Sequence, residues 1–489
     1  MTMGKKRRTI FRGIDGLWQR EVGEISPRIF AHRVGATKDL LLRFDIYKKL
    51  KRHRGCVNTV SFNCDGDILV SGSDDKMVIL WNWDQGSVKL AFHSGHTNNV
   101  FQAKIMPFTD DRTLVTCAAD GQVRRALIRD DGKVDTVKLA RHDSRAHKLA
   151  VEPGSPYIFY SCGEDGLVLH FDLRTRTATR LFTCQPFEVM SRIRPIVLLN
   201  AIAIDPRNPN LFSVAGSDEY ARLYDIRKYN LNGSTNYGLP ADRFCPSHLI
   251  GDGQVGITGL TFSDQSELLV SYNDELIYLF SRGMGLGSDP VKPSEENVYV
   301  DTKPQPQVYS GHRNCATVKG ANFFGPSCEY VTSGSDCGRI FIWRKKDGEL
   351  LRAMEGDSHI VNCIEPHPRA TVLASSGFDA DIKIWTPRAT EPASLPVNID
   401  EDLIPDRIAC FAINDDDYDD DDDDDDDDYD DDDDDDDDDD GDDDDDDLDN
   451  GSDFDFDCHN NNNGAPADDT TTPAQRQKDT MDAAYCFTP

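Results

Sequence analysis

An all-β ring of seven small antiparallel sheets, a β-propeller, is the fold this sequence predicts. Three observations predict it: a turn motif that recurs seven times, alternating apolar runs around each copy, and a lone strand-like stretch just before the first copy. Each copy reads as a small-residue step, an acidic turn and an apolar run ending on an aromatic.

Taken in order, residues 42–50 (Leu-Arg-Phe-Asp-Ile-Tyr-Lys-Lys-Leu) largely alternate and have no partner nearby. They are placed to be the outer strand of the last blade, closing the ring and hiding its edges. The first copy runs from Ser71-Gly72-Ser73-Asp74-Asp75 to Trp81, and a weaker second one, Ala119-Asp120-Gly121, has Ala126 where the aromatic belongs. Cys162-Gly163-Glu164-Asp165 to Phe171, Gly216-Ser217-Asp218 to Tyr224 and Asn273-Asp274 to Phe280 follow. The last two are Gly334-Ser335-Asp336-Cys337 to Trp343 and Gly377-Phe378-Asp379 to Trp385. Turn positions 75, 120, 165, 218, 274, 337 and 379 are spaced by 45, 45, 53, 56, 63 and 42 residues. The shorter spacings match the period of about 40–45 residues of WD-type repeats. The longer ones hold two polar inserts, 229–247 and 281–307, each beginning after a blade's third strand, so both are expected on one face of the ring.

Upstream of several turns lies a histidine: Gly95-His96, Gly311-His312, and looser versions around His53, His142 and His359. A tight turn between strands favours residues that tolerate unusual dihedrals and bond their own backbone, hence Asp, Asn and Gly. Asp75, Asp120, Asp165, Asp218, Asp274, Asp336 and Asp379 therefore read as structural turn residues, in a hydrogen-bond network with histidine where one lies upstream, and not as catalytic groups.

The 489 residues divide into a basic extension (1–41), the propeller (42–386) and a linker with an acidic tail (387–489). From Asp415 to Asp449, 31 of 35 residues are aspartate, which supplies most of the net charge of −35. Such a run repels itself and buries no apolar surface, so the tail is expected to be disordered. Lys5, Lys6, Arg7 and Arg8 form a candidate nuclear localisation signal; no wider basic stripe points to nucleic acid. No stretch reaches the roughly 18 apolar residues of a membrane span, and no apolar segment follows the basic start. Thirteen cysteines without CxxC spacing read as reduced thiols. Nucleus and cytoplasm are the expected compartments.

Catalytic signatures are missing: there is no GxxxxGK[ST], HExxH, GxSxG or metal-spaced Cys/His cluster, so no enzyme, cofactor or metal is expected. Gly251-Asp-Gly253-Gln-Val-Gly256 matches a dinucleotide fingerprint but opens into the strand-like Ile257-Thr-Gly-Leu-Thr-Phe262, where the fingerprint needs a helix. Asp457-Cys458-His459 is too short and local to build a metal site.

Two consecutive blades end their third strand alike, as Phe171-Asp172-Leu173-Arg174 and Tyr224-Asp225-Ile226-Arg227. This resembles the WDxR box of substrate receptors for cullin-4 ubiquitin ligases, with Phe or Tyr in place of Trp. Glu21-Val-Gly, Ser26-Pro-Arg-Ile-Phe-Ala-His-Arg-Val-Gly-Ala36, His53-Arg-Gly-Cys-Val-Asn-Thr-Val60, Gly95-His-Thr-Asn-Asn-Val-Phe-Gln-Ala103 and Asp120-Gly-Gln-Val-Arg124 resemble the cullin-4-associated factor 8 family over about residues 17–390. The resemblance implies a non-catalytic substrate receptor. It would dock on the adaptor, damage-specific DNA-binding protein 1, and through it on cullin-4, while presenting substrate proteins. Phe171, Asp172, Arg174, Tyr224, Asp225 and Arg227 are the implied docking residues. The alternative is a scaffold for histones or other basic proteins, using the acidic tail as a polyanion.

Overall fold

A computed structural model describes residues 13–175, 177–186, 196–229, 239–288 and 304–395. Among them, 28 strands form seven four-stranded antiparallel sheets, the blades of a propeller. Blades 1 to 6 each use four successive strands, spanning 57–93, 100–141, 146–183, 199–244, 257–309 and 321–355. Blade 7 takes Val361–Pro366, Leu373–Gly377 and Asp381–Pro387 and is completed by Phe44–Lys51, with Phe44 opposite Pro387 and Leu50 opposite Ile382. The closing strand is thus the one read from the sequence. It starts at Phe44 because Lys38–Leu42 coil into a helix instead.

The core is distributed over the ring. Seven apolar clusters each bridge two neighbouring blades, such as Ile68, Val70, Val78 and Leu80 of blade 1 against Val100, Ala103 and Leu114 of blade 2. The closing seam packs Leu50, Ile382 and Ile384 of blade 7 against Val57, Leu69 and Trp81 of blade 1. The middle strands face neighbours on both sides, which is why they read as runs such as Leu69–Ser73, buried at every position. In six of the seven blades the innermost strand slips register near its start, between Val57 and Thr59 or Val100 and Gln102, for example. Such a bulge re-aims one side chain per blade. Asn58, at the first of them, donates to Asp74 at 2.7 Å in its own blade and to the Val100 carbonyl at 3.2 Å in the next.

Before the ring, where the sequence suggests only a basic extension, stand three short helices: α1 (Gly13–Glu21), α2 (Pro27–Gly35) and α3 (Lys38–Leu42). A local signal for α2 was present, since Ser26 caps it by accepting from the Ile29 N–H at 3.2 Å, with Pro27 in its first turn. Leu41 of α3 is buried in the seam between blades 6 and 7, and the Tyr330 hydroxyl donates to the Ala36 carbonyl at 2.9 Å.

Gly251–Gly256 forms the loop leading into the Ile257–Phe262 strand, and the ten described cysteines are free thiols. Both inserts interrupt third-to-fourth-strand connections, of blades 4 and 5. Lys5, Lys6, Arg7, Arg8, positions 230–238 and 289–303 of the inserts, and the acidic tail lie outside the described residues. Among the described residues no helix is long and apolar enough to cross a membrane, and no His/Cys/Asp/Glu group is arranged to hold a metal.

Candidate docking rim

Antiparallel strands give the ring two rims. The second-to-third-strand turns, with the crossings between blades, lie on one; the first-to-second and third-to-fourth connections lie on the other. The predicted turn carboxylates occupy the first. In blade 1, His53 bonds Asp75 through Nδ1 at 2.9 Å and Ser71 through Nε2 at 2.7 Å, while the Trp81 indole donates to Ser71 at 2.9 Å. Burial would raise the Asp75 carboxyl, but bonds from His53 and the Arg54 N–H hold it below its ordinary value. Blades 2 and 3 repeat the bracket: His96 meets Asp120 at 3.0 Å and Thr116 at 2.9 Å, and His142 meets Asp165 at 2.9 Å and Ser161 at 2.8 Å. These are structural brackets, joining the inter-blade crossing to the turn.

The other four blades lack this bracket. In blade 4 the partner of Asp218 is the buried Arg222, 2.7 Å away through one of its nitrogens. In blade 7 the buried Lys383 ammonium bonds Asp357 at 2.7 Å, Asp379 at 2.8 Å and Asp381 at 2.6 Å. His359, read as that blade's histidine, instead packs edge-on against Phe378 at 5.0 Å. In blade 6, six residues before the terminal tryptophan stands Cys337, so Asp336 is one position out of register with Asp75 and its counterparts. It pairs with Lys319 and accepts from the Cys315 and Ala316 N–H groups, while both ring nitrogens of buried His312 lack a hydrogen-bond partner among the described residues. Asp274 of blade 5 sits in its turn at φ +52°, its N–H donating to the Asn314 carbonyl at 2.7 Å. Sequence reading missed Arg222 and Lys383. The available signal was a cation two residues before the strand-ending aromatic, where Ile79 stands in blade 1.

The opposite rim carries the two Asp-x-Arg boxes. Asp172 and Asp225 each take a two-pronged bond from their arginine: Arg174 through Nε at 2.9 Å and a terminal nitrogen at 2.7 Å, Arg227 at 2.9 and 2.6 Å. Each aspartate also accepts the backbone N–H of its arginine, at 3.0 and 3.1 Å. These bonds hold both carboxyls below the ordinary range, with the arginine side-chain bond as the largest cause. Planar forks anchored at one edge are pre-organised to offer their outer edge to a carbonyl or carboxylate. The arginine side chains are 60% and 65% exposed.

The aromatics of the boxes do something else. Phe171 stacks on Phe159 at 4.4 Å and Tyr224 on Phe182 at 4.3 Å, each in a seam between blades and 2% exposed. They hold the strand in the seam and leave little surface open to a partner, in contrast to the exposed arginines. Two exposed aromatics that sequence reading passed over share this rim: Phe108, in the first connection of blade 2, and Tyr157, in that of blade 3, whose ring lies 5.4 Å from the Arg174 guanidinium. Aromatic and arginine side chains side by side are the composition that protein interfaces favour.

Comparison with known proteins bears on the fold and the repeat. The family described as WD domain, G-beta repeat matches residues 44–82, 303–344 and 348–386. Each matched segment ends just after Trp81, Trp343 or Trp385, and the third strands that end on Ala126, Phe171, Tyr224 and Phe280 lie outside them. The chain is 32% identical over 301 residues to mouse "DDB1- and CUL4-associated factor 6", covering 59% of this chain and 34% of that protein; the human one is 31% identical over the same length. It is 32% identical over 348 residues to "Protein ALTERED SEED GERMINATION 2" of Arabidopsis thaliana, covering 60% of this chain and 45% of the relative. It spans less than half the length of these relatives. "WD and tetratricopeptide repeats protein 1" of mouse is 23% identical, with 91% of its length covered. Seven closed blades make the chain a β-propeller, three of its segments match the WD repeat, and over 301 residues it is similar in sequence to a DDB1- and CUL4-associated factor.

Proposed function

We propose that this chain is a substrate-recognition subunit of a cullin-4 RING ubiquitin ligase, akin to cullin-4-associated factor 8. It docks on damage-specific DNA-binding protein 1 through the rim bearing Arg174 and Arg227 and holds target proteins while other subunits transfer ubiquitin. The observation that carries this reading is the pair of aspartate-braced, exposed arginines at matching places in adjacent blades. The names of the relatives, "DDB1- and CUL4-associated factor 6" among them, support it. The nucleus and cytoplasm are the compartments such a ligase subunit would share with its adaptor.

The test is co-purification of adaptor and cullin-4 with the full chain and with the Arg174→Ala, Arg227→Ala double variant. Loss of both partners from a folded double variant is the expected result. Undiminished capture moves docking elsewhere, and α1 is the next surface to examine, because Ile14 and Trp18 are 82% and 60% exposed on it. Recovery of histones without adaptor or cullin-4 would replace the ligase reading with the scaffold one.

A further inference from the structure

On the side of the ring that carries the turn carboxylates, a cavity of about 580 Å³ lies where blade 4 hands over to blade 5. Its wall includes His248, Glu275, Leu276, Tyr278, Pro306 and Val308. Glu275 is 6% exposed, yet its carboxylate is held by little: Oε1 accepts from the Tyr278 hydroxyl at 2.9 Å and from the Leu276 N–H at 3.2 Å. His248 Nε2 is 4.0 Å away and lies 3.2 Å from the same hydroxyl. Among the described residues no lysine or arginine pairs with Glu275. This contrasts with the half-buried Asp218 and the more deeply buried Asp336 and Asp357, whose carboxylates each face a cation of the chain.

A buried carboxylate without a counter-charge is costly, and an incoming cation would relieve that cost. The apolar walls fix the shape of the cation. Leu276, Pro306, Val308 and the Tyr278 ring would cover a methylene stem, the part of lysine and arginine that packs against apolar surface while the charged head reaches a polar group. The volume falls in the range of about 300–1,000 Å³ of ordinary ligand sites. We propose that this pocket binds an arginine or lysine side chain of a protein recruited by the ring, with Glu275 as counter-ion. The proposal rests on the substrate-receptor reading, and it puts substrate on the rim opposite the adaptor.

Saturation-transfer NMR of the full chain with N-acetylarginine methylamide, N-acetyl-lysine methylamide and N-acetylglutamine methylamide tests it. Expected is saturable binding of the two cations and not of the glutamine analogue, weakened at least fivefold by Glu275→Gln. Leu276→Arg, which places a fixed guanidinium at the cavity wall, should abolish it and serves if the first variant does not fold. Binding of all three analogues alike, of none, or unchanged in a folded Glu275→Gln overturns the proposal. So does a rise in binding on changing Lys292 and Lys303 of the adjoining insert to glutamine, which would make that insert the occupant. Adaptor capture, followed in parallel, should be unaffected by Glu275→Gln. Cation binding without adaptor capture sinks the ligase reading alone, and the reverse sinks the pocket alone.

Discussion

Blades 1 and 6 each press a buried histidine against the tryptophan that ends the third strand, His53 at 6.5 Å from Trp81 and His312 at 5.7 Å from Trp343. The two histidines nevertheless live differently. His53 is bonded on both sides, to Asp75 and Ser71; His312, among the described residues, is bonded on neither. The cause is a shift of one residue. With Cys337 in the turn position, the carboxylate of Asp336 faces Lys319 and the backbone at 315–316 instead of the imidazole. A residue type at the right spacing does not guarantee the interaction it makes elsewhere. What matters is whether its partner falls on the same side of the chain. Blades 4 and 7 extend the point by bracing the turn with a buried cation in place of a ring.

The largest effect should come from blade 7. Burial opposes the charge on Lys383, but its bonds to Asp357, Asp379 and Asp381 hold the ammonium above the ordinary lysine value. Lys383→Met would leave Asp357, fully buried beside it, without a cation. Breaking such a pair costs about 3–5 kcal/mol. Urea denaturation should show this loss, and a second change, Asp357→Leu, should recover much of it. If Lys383→Met alone were neutral, the cation would not be bracing the blade.

Next in size is a pH effect confined to blade 6. Burial, aided by the nearby Lys319 charge, pushes the His312 imidazole down from 6.5 to about 4. Its folded value is depressed, so between these limits the unfolded chain binds the proton and the folded one does not. The stability contribution is whole above pH 6.5 and is lost as pH falls through 4. The shift corresponds to about 3 kcal/mol. Because other groups titrate in the same window, the quantity to measure is the difference between wild type and His312→Leu. Their stabilities should diverge progressively from pH 6.5 down to 4, the variant becoming the more stable; parallel curves would place the proton elsewhere.

At neutral pH the same pair of histidines separates again. His53→Leu takes one bond from the Asp75 carboxylate and one from the Ser71 hydroxyl, which keep the Arg54 N–H and the Trp81 indole, and should cost about 2 kcal/mol, in the range for a hydrogen bond to a charged group. His312→Leu removes an unsatisfied ring from an apolar site and should be neutral or mildly stabilising by the same argument. Equal losses at both positions would mean that shape, and not hydrogen bonding, sets the value of the histidine.

The blade count, the closing strand and the complete brackets of blades 1 to 3 were legible because each rests on local spacing. A turn aspartate lies four residues after its serine or threonine and six before the residue that ends the strand. Blade 7 was read correctly as a blade but with the wrong residue, His359, since Asp357 in the histidine position carries no motif of its own. The helices at 13–42 were not read at all: their apolar residues are few, and part of their stability comes from docking on blades 6 and 7. The pocket around Glu275 was out of reach for a different reason. Its wall joins loops around 248, 275 and 306, and nothing in one stretch of sequence announces that these converge. For the Asp-x-Arg boxes, the residues were found but not the division of labour, because an aromatic at a strand end reads the same whether it faces a seam or solvent.

The smallest expected effect on stability sharpens the comparison of buried and exposed ion pairs. Arg174–Asp172 and Arg227–Asp225 match the contacts of Lys383 in length, 2.7 and 2.6 Å, but their arginines stand in water. Solvent screens such pairs and the ordering of a long side chain offsets what remains, so their removal should leave the unfolding midpoint where it is. Asp172 and Asp225 differ in this respect, for they also accept backbone N–H groups that shape the strand end. Asp172→Ala and Asp225→Ala should therefore lower the midpoint where the arginine changes do not. That asymmetry makes the arginines the cleaner probe. A pair whose loss is invisible to folding, but weakens adaptor capture on the order of tenfold or more as an interface hot spot does, is held for a partner. If the double arginine variant unfolds at lower urea concentration than wild type, the forks brace the rim, and their exposure no longer argues for docking.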